Sequence, residues 1–103
     1  MVWDRVEQAR DNLADLCRRH SVHRLSLFGS ATGPAFNPDR SDLDFIVEFE
    51  ALTPAEYAEA YFGLWEDLQR LFDRPVDLLT EPALGNPYLR KAVEQSRIEL
   101  YAA

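Results

Sequence analysis

Hydrophobic positions along the chain follow two different periods, and their alternation predicts an α/β fold. Residues 3–19 carry apolar side chains at helical spacing, which is typical of an amphipathic helix. Three short apolar runs, rich in residues that favour strands, are predicted to be β-strands: 22–28, 43–49 and 75–79. We therefore expect a small mixed β-sheet flanked by helices.

A long helix is predicted between the second and third strands. Thr53, Pro54 and Glu56 form a helix-start pattern, with a threonine cap, a proline at the first helical position and a glutamate three residues after the cap. This helix, 54–72, carries an aromatic stripe that we expect to belong mainly to the core, with part of it available to a partner. Gly63 within it indicates close packing against a neighbouring element.

The end of the chain predicts one more helix and one ambiguous segment. Asn86 and Pro87 begin a helix at residues 87–95. Residues 98–101 alternate like a short terminal strand or an extended tail. The whole of 1–103 is expected to form a single domain, α/β (α+β) in class, around three strands.

Composition and charge narrow the classes of function. The chain has 47% hydrophobic residues, which favours a folded domain, and a net charge of −7, which disfavours direct nucleic-acid binding. An acidic surface suits a basic protein partner.

With one cysteine and no apolar run long enough for a membrane span or signal peptide, we expect a soluble, cytoplasmic protein. Cys17 is expected in the core, and His20 and His23 on the surface.

The segment from residue 25 to residue 48 contains the candidate chemistry. Gly29 and Ser30 end the first strand abruptly, and glycine leaves room for a ligand near the main chain. If Ser30 begins a helix, its N–H and hydroxyl point to where a phosphate would bind.

Asp42 and Asp44 open the second strand and, with period two, project from one face. Two adjacent carboxylates repel each other unless a cation lies between them, and oxygen ligands beside a phosphate suit Mg²⁺. The alternative is a pair of aspartates at the edge of a half-exposed strand, and the spacing alone leaves both interpretations open.

Asp77 lies inside the apolar third strand, where an unpaired buried carboxylate would be unfavourable. It is explained if Asp77 faces the same cleft as the other two aspartates, where it could bind a metal ion and accept a proton. Alone it would equally fit a strand-edge residue facing water. The presence of all three aspartates and the Gly-Ser turn in one chain favours the catalytic interpretation.

The run Leu27-Phe28-Gly29-Ser30, followed by Ser41-Asp42-Leu43-Asp44, resembles the motif of DNA polymerase β-type nucleotidyltransferases. Its length and hydrophobic context are closest to the minimal nucleotidyltransferases (MNT), the antitoxins of HEPN ribonuclease toxins. The resemblance covers most of the chain and includes Asp77. It implies the polymerase β-like fold, nucleotide binding at Gly29 and Ser30, and two Mg²⁺ ions at Asp42, Asp44 and Asp77, which are also the implied catalytic residues.

The resemblance further implies a function. The chain would act as an antitoxin that transfers AMP from ATP to a tyrosine hydroxyl of a HEPN toxin, with which it would form a hetero-oligomer. A second hypothesis is an antitoxin that neutralises its toxin by occlusion, with a vestigial metal site. It draws on a loop one residue longer than the family pattern between Ser30 and Asp42, without the arginines often found after the serine. Transfer to RNA ends is a third hypothesis, disfavoured by the acidic charge.

Overall fold

Helices and strands alternate along the chain in the computed structural model, which describes residues 4–29, 42–80 and 87–103. In chain order the elements are α1 (Asp4–Gln8), α2 (Arg10–Arg19), β1 (Val22–Phe28), β2 (Leu43–Phe49), α3 (Pro54–Phe72), β3 (Val76–Thr80), α4 (Pro87–Ser96) and β4 (Ile98–Ala102). The predicted bounds of β1, β2 and α3 agree with these, and β3 begins and ends one residue later than predicted.

A mixed sheet in the order β3-β2-β1-β4 lies at the centre of the fold. β1 pairs antiparallel with β2 and β4, whereas β2 pairs parallel with β3. A parallel pair needs a crossover connection, and α3 provides it. The predicted mixed sheet is confirmed, but the expectation of three strands is wrong, because residues 98–102 pair with β1 as a fourth strand rather than forming a tail.

The two faces of the sheet pack against different helices. The larger core cluster joins α1, α2 and α3 to one face and includes Leu13, Phe45 and Leu64, each fully buried. On the other face, Val93 of α4 packs with Ile46 in a smaller cluster. Phe45 and Ile46 belong to different clusters because successive strand residues point to opposite faces. By the same alternation, Asp44 lies on the face of Ile46.

The N-terminal helix differs locally from its prediction as one helix over residues 3–19. Ala9 separates α1 from α2, with φ −92° and ψ 6°. Its N–H is shared between the carbonyls of Arg5 and Val6, at 3.1 and 3.2 Å. Such a bifurcated bond marks a local tightening of the backbone, and Val6 on one side and Leu13 on the other both remain fully buried.

Cys17 lies in the core, as predicted. Its side chain is fully buried, and burial raises the pKa of the thiol to about 12. Since the thiolate is the reactive form, Cys17 is a packing residue and not a nucleophile.

His20 is not the surface residue that was predicted. Its side chain is only 15% exposed, and its Nε2 lies 2.6 Å from Oδ2 of Asp67 on α3. Gly63 makes this possible, since a Cβ there would lie 2.7 Å from Cε1 of the imidazole. The close packing predicted at Gly63 is confirmed, and His23 is exposed as expected.

The edge strand β3 is protected by α3. The Pro75 carbonyl accepts a bond from β2, so the carbonyls of Val76 and Leu78 point away from the sheet. Trp65 Nε1 donates to the Val76 carbonyl at 2.9 Å, and the Tyr61 hydroxyl donates to the Leu78 carbonyl at 2.6 Å. Two side chains of the predicted aromatic stripe therefore occupy the outer hydrogen-bonding positions of this strand.

The helix α3 begins with the predicted cap. Thr53 Oγ1 accepts from the Glu56 N–H, and the Glu56 carboxylate accepts from the Thr53 N–H. These bonds satisfy two backbone donors that the helix leaves free. Across the parts of the chain that the structure describes, no helix is long and apolar enough to cross a membrane.

The burial pattern of α3 predicts how two substitutions differ in stability. Leu64→Ala removes a fully buried side chain and should lower the free energy of unfolding by about 2–5 kcal/mol. Phe62→Ala, two residues away but 59% exposed, should lower it by less than about 1 kcal/mol. Urea denaturation followed by circular dichroism measures both, and equal losses would contradict the packing described for α3.

Candidate active site

Asp44 and Asp77 lie side by side on neighbouring strands. They are register partners in the parallel pairing of β2 with β3, and their carboxyl groups lie close enough to share a hydrogen bond when Asp44 is protonated. Asp44 is half-buried and Asp77 is exposed. Asp77 thus faces solvent from the edge strand, as one interpretation of its sequence position predicted. It is also a direct partner of Asp44, as the catalytic interpretation predicted.

The proximity of these carboxyl groups changes the titration of Asp44. Burial, the hydrogen bond with Asp77, and the negative charges of Asp77 and Asp42 together raise the pKa of Asp44 from 3.8 to about 6. Each of these effects disfavours the charged form. At neutral pH the site therefore concentrates negative charge in a partly desolvated place, which a bound cation would stabilise.

Asp42 lies immediately before β2 and is exposed. Its charge contributes to the raised pKa of Asp44, which places it in the same neighbourhood as the pair. Within residues 4–29, 42–80 and 87–103, however, no three or more His, Cys, Asp or Glu side chains are grouped in a way that could hold a metal ion. The three predicted aspartates are near one another without forming a closed set of ligands.

Gly29 brings the backbone directly against Asp44. The preceding residue, Phe28, is the register partner of Asp44 across β1 and β2. Gly29 has φ +76°, and a Cβ at this position would lie 2.7 Å from Oδ2 of Asp44. Both the positive φ and the close approach require glycine here. Ser30, predicted to bind the nucleotide with Gly29, lies outside the described residues.

Ser96, at the end of α4, is a site residue that the sequence analysis missed. Its Oγ accepts a hydrogen bond from the Gly29 N–H at 3.0 Å. The next residue, Arg97, donates from Nε to Oγ of Ser26 at 3.0 Å, and Ser26 is fully buried. No local pattern marks Ser96, because its position depends on how β4 pairs with β1.

The donors present fit a divalent cation of the Mg²⁺ type. Mg²⁺ binds oxygen ligands and is usually held by one or two carboxylates together with phosphate oxygens and water. Asp44 and Asp77 supply two adjoining carboxyl groups, with Asp42 nearby. The remaining metal ligands would then come from a nucleotide and from water. This agrees with the absence of a complete set of protein ligands among the described residues.

Comparison with known proteins assigns the family. The model of the nucleotidyltransferase domain family matches residues 10–100. The chain belongs to this family. The resemblance found in the sequence is therefore confirmed, and the Gly29 turn and the aspartates lie within the matched part of this nucleotidyltransferase.

Relatives in Methanocaldococcus jannaschii share about a third of their residues with this nucleotidyltransferase. The candidate protein adenylyltransferase MJ1379 is 35% identical over 81 residues, covering 78% of each chain. A second such candidate, MJ0128, is 34% identical over 83 residues, covering 81% of each.

Solved structures confirm the fold. A candidate minimal nucleotidyltransferase has a TM-score of 0.70 and 31% identity, with 95% of each chain covered. A chain of a toxin–antitoxin complex with AMP-PNP has a TM-score of 0.65 and 22% identity, covering 91% of this chain and 73% of its own. The toxin–antitoxin MntA-HpeT has a TM-score of 0.65 and 21% identity, with the same coverage. The last two likenesses show the fold alone.

The raised pKa of Asp44 predicts a stability that depends on pH. The folded protein holds the proton of the Asp44 carboxyl more tightly than the unfolded chain does. The negative charge of Asp44 therefore destabilises the fold fully above about pH 6, and this destabilisation disappears as the pH falls towards 4. Without divalent ions, Asp44→Asn should therefore raise the free energy of unfolding at pH 7.5 by about 1–2 kcal/mol, allowing for solvent screening. At pH 4 the gain should vanish.

Urea denaturation at the two pH values measures this difference. Glu59→Gln, which removes an exposed charge on α3, is the matched control and should show no such pH-dependent gain. An Asp44→Asn variant that is less stable than the wild type at pH 7.5 would contradict the electrostatic description of the site.

Proposed function

We propose that this nucleotidyltransferase transfers AMP from ATP to a tyrosine hydroxyl of a partner protein, a HEPN ribonuclease toxin that it thereby neutralises. The observation that carries the proposal is the pairing of Asp44 with Asp77 beside the backbone of Gly29. Family membership supports nucleotidyl transfer, and the two archaeal relatives are named as candidate protein adenylyltransferases. Fold neighbours from toxin–antitoxin complexes, one with AMP-PNP, support the partner and the nucleotide.

In the proposed reaction the acceptor oxygen attacks the α-phosphorus of ATP. A bond forms between the tyrosine oxygen and that phosphorus. The bond between the α-phosphorus and the oxygen that bridges it to the β-phosphate breaks, and pyrophosphate leaves. Asp77 receives the hydroxyl proton, because it is exposed to an incoming acceptor and lies beside Asp44 on the neighbouring strand. Gly29 and Ser30 hold the triphosphate. Two Mg²⁺ ions held by Asp42, Asp44 and Asp77 would supply the positive charge that stabilises the attacking and leaving oxygens.

A groove between α3 and β3 supports a protein as the acceptor. It has a volume of about 480 Å³ and runs between α3 and β3, lined by Tyr57, Tyr61, Phe62, Leu78, Leu79 and Thr80. Phe62 is 59% exposed and Tyr57 37% exposed. Leu78 directly follows Asp77, whose charge also contributes to a raised pKa of Tyr61, after burial and the effect of Tyr57. The groove therefore begins at the strand residue that follows Asp77, and the charge of Asp77 reaches Tyr61 in its lining.

Charge along the segment that contains α3 indicates the chemistry of the partner. The segment between Arg40 and Arg70 contains no lysine or arginine. It contains eight acidic residues: Asp42, Asp44, Glu48, Glu50, Glu56, Glu59, Glu66 and Asp67. Together with the apolar groove, this acidic segment favours a protein partner that combines apolar side chains with lysine or arginine over nucleic acid.

The transfer itself is tested by intact mass spectrometry of a HEPN-type protein from the same genome after incubation with this chain, ATP and Mg²⁺. We expect a gain of one or more AMP units. Asp44→Ala should slow it by about 10²- to 10⁴-fold, as loss of an essential acid–base or metal-binding group does. Asp11→Ala, an exposed residue of α2, should have no effect. An unmodified toxin that is still bound and neutralised would instead support occlusion.

The acceptor groove predicts a selective kinetic effect. Phe62→Ala should raise KM for the acceptor protein about tenfold, because large exposed aromatics are common anchors of interfaces, and leave KM for ATP unchanged. Tyr88→Ala, which removes an aromatic side chain from α4 that is 86% exposed, is the control and should change neither KM. Steady-state rates at varied acceptor and varied ATP measure both constants. If the two variants behave alike, the acceptor binds elsewhere.

A further inference from the structure

We infer that Ser96 is a positioning residue for the nucleotide, holding the Gly29 turn in the conformation that receives the triphosphate. The inference rests on the proposed function, since it assumes that the phosphates bind at this turn. Ser96 does not belong to the Gly-Ser and aspartate motifs. It reaches the site from the opposite end of the sequence, at the junction of α4 and β4.

The contact itself is a hydrogen bond between distant parts of the chain. Ser96 Oγ accepts the Gly29 N–H at 3.0 Å, in a partly buried position. Gly29 has little freedom to move without consequence, since its Cα hydrogen already faces Oδ2 of Asp44 at a distance that excludes a Cβ. A bond that fixes the Gly29 amide therefore also fixes the spacing between this backbone and the Asp44 carboxylate.

The register of β4 explains why Ser96 is the residue at this place. Near the site, Ser26 pairs with Glu99 and Leu27 with Ile98, so continuation of the same register sets Ser96 opposite Gly29. Further from the site, Leu25 pairs with Tyr101, a register shifted by one residue. If that second register continued to the turn, Arg97 would lie opposite Gly29 instead. The irregularity between Leu25 and Ser26 thus places the hydroxyl of Ser96, rather than the guanidinium of Arg97, opposite Gly29.

Arg97 secures this register on the site side of the irregularity. Its Nε donates to Oγ of Ser26 at 3.0 Å, and its Nη1 lies 3.4 Å from Glu94 Oε1. The Arg97 side chain is 14% exposed and Ser26 is fully buried, so this contact is shielded from water. Two consecutive residues, Ser96 and Arg97, consequently attach the end of α4 to the end of β1.

The experiment measures nucleotide binding by the isolated chain, with AMP-PNP and Mg²⁺ as the probe in isothermal titration calorimetry. Ser96→Ala should weaken Kd about five- to tenfold, the effect of one lost hydrogen bond. Ser96→Thr keeps the hydroxyl and should bind nearly as tightly as the wild type. In transfer assays, KM for ATP should rise in Ser96→Ala with little change in kcat.

Thr53→Ala is the matched control, because it also removes a hydroxyl that accepts a backbone N–H, but at the start of α3. It should lose comparable stability and keep the wild-type Kd. As an independent readout, the Gly29 amide should exchange with solvent faster in Ser96→Ala than in the wild type, measured by NMR.

The outcomes separate this inference from the proposed function. If the wild type binds the nucleotide and Ser96→Ala binds it equally tightly or more tightly, the inference alone is overturned. The transferase proposal then stays in place. Equal weakening by Ser96→Ala and Thr53→Ala would also overturn it, because the effect would then follow stability. A wild-type chain that binds no nucleotide would contradict the proposed function and the inference with it.

Discussion

The electrostatic repulsion between two carboxyl groups on adjacent parallel strands is the constraint on which the site depends. The register of β2 with β3 sets Asp44 beside Asp77, and partial burial prevents water from screening the pair fully. A sheet that places acids this way is less stable without a counter-charge than one with amides. The rest of the fold supports this arrangement: α3 provides the parallel crossover, and the Gly29 turn closes one side of Asp44.

Burial is divided between the faces of the sheet in a way that suits this constraint. One face carries the large core with α1, α2 and α3, and contributes most of the hydrophobic stabilisation. The other face has only a small cluster under α4, so polar groups can collect at its end without disturbing the main core. The exposed part of the α3 stripe, at Tyr57 and Phe62, lines the groove between α3 and β3, while the buried part of the stripe supports the sheet.

Much of this arrangement was predictable from sequence, and the exceptions have a common physical cause. Period-two runs and the Thr53 cap are local signals, and they located β1, β2 and α3 to the residue. The fourth strand, the burial of His20 and the contact from Ser96 all depend on partners more than forty residues away in the chain. Residues 98–101 alternate equally well as a strand or a tail, and only pairing with β1 distinguishes the two. The proximity of Asp77 to Asp44 followed from the family motif, whereas the distance between them depends on the register.

The capping of β3 by Trp65 and Tyr61 has a consequence for assembly. An open edge strand offers its carbonyls to any extended chain, which leads to aggregation or to partners joined by strand addition. Here the outward carbonyls of Val76 and Leu78 already have donors from the same molecule. An incoming chain would have to displace an indole and a phenol before it could extend the sheet at these two residues. Recognition along this edge therefore depends on side chains entering the groove, which makes it selective for sequence rather than for backbone.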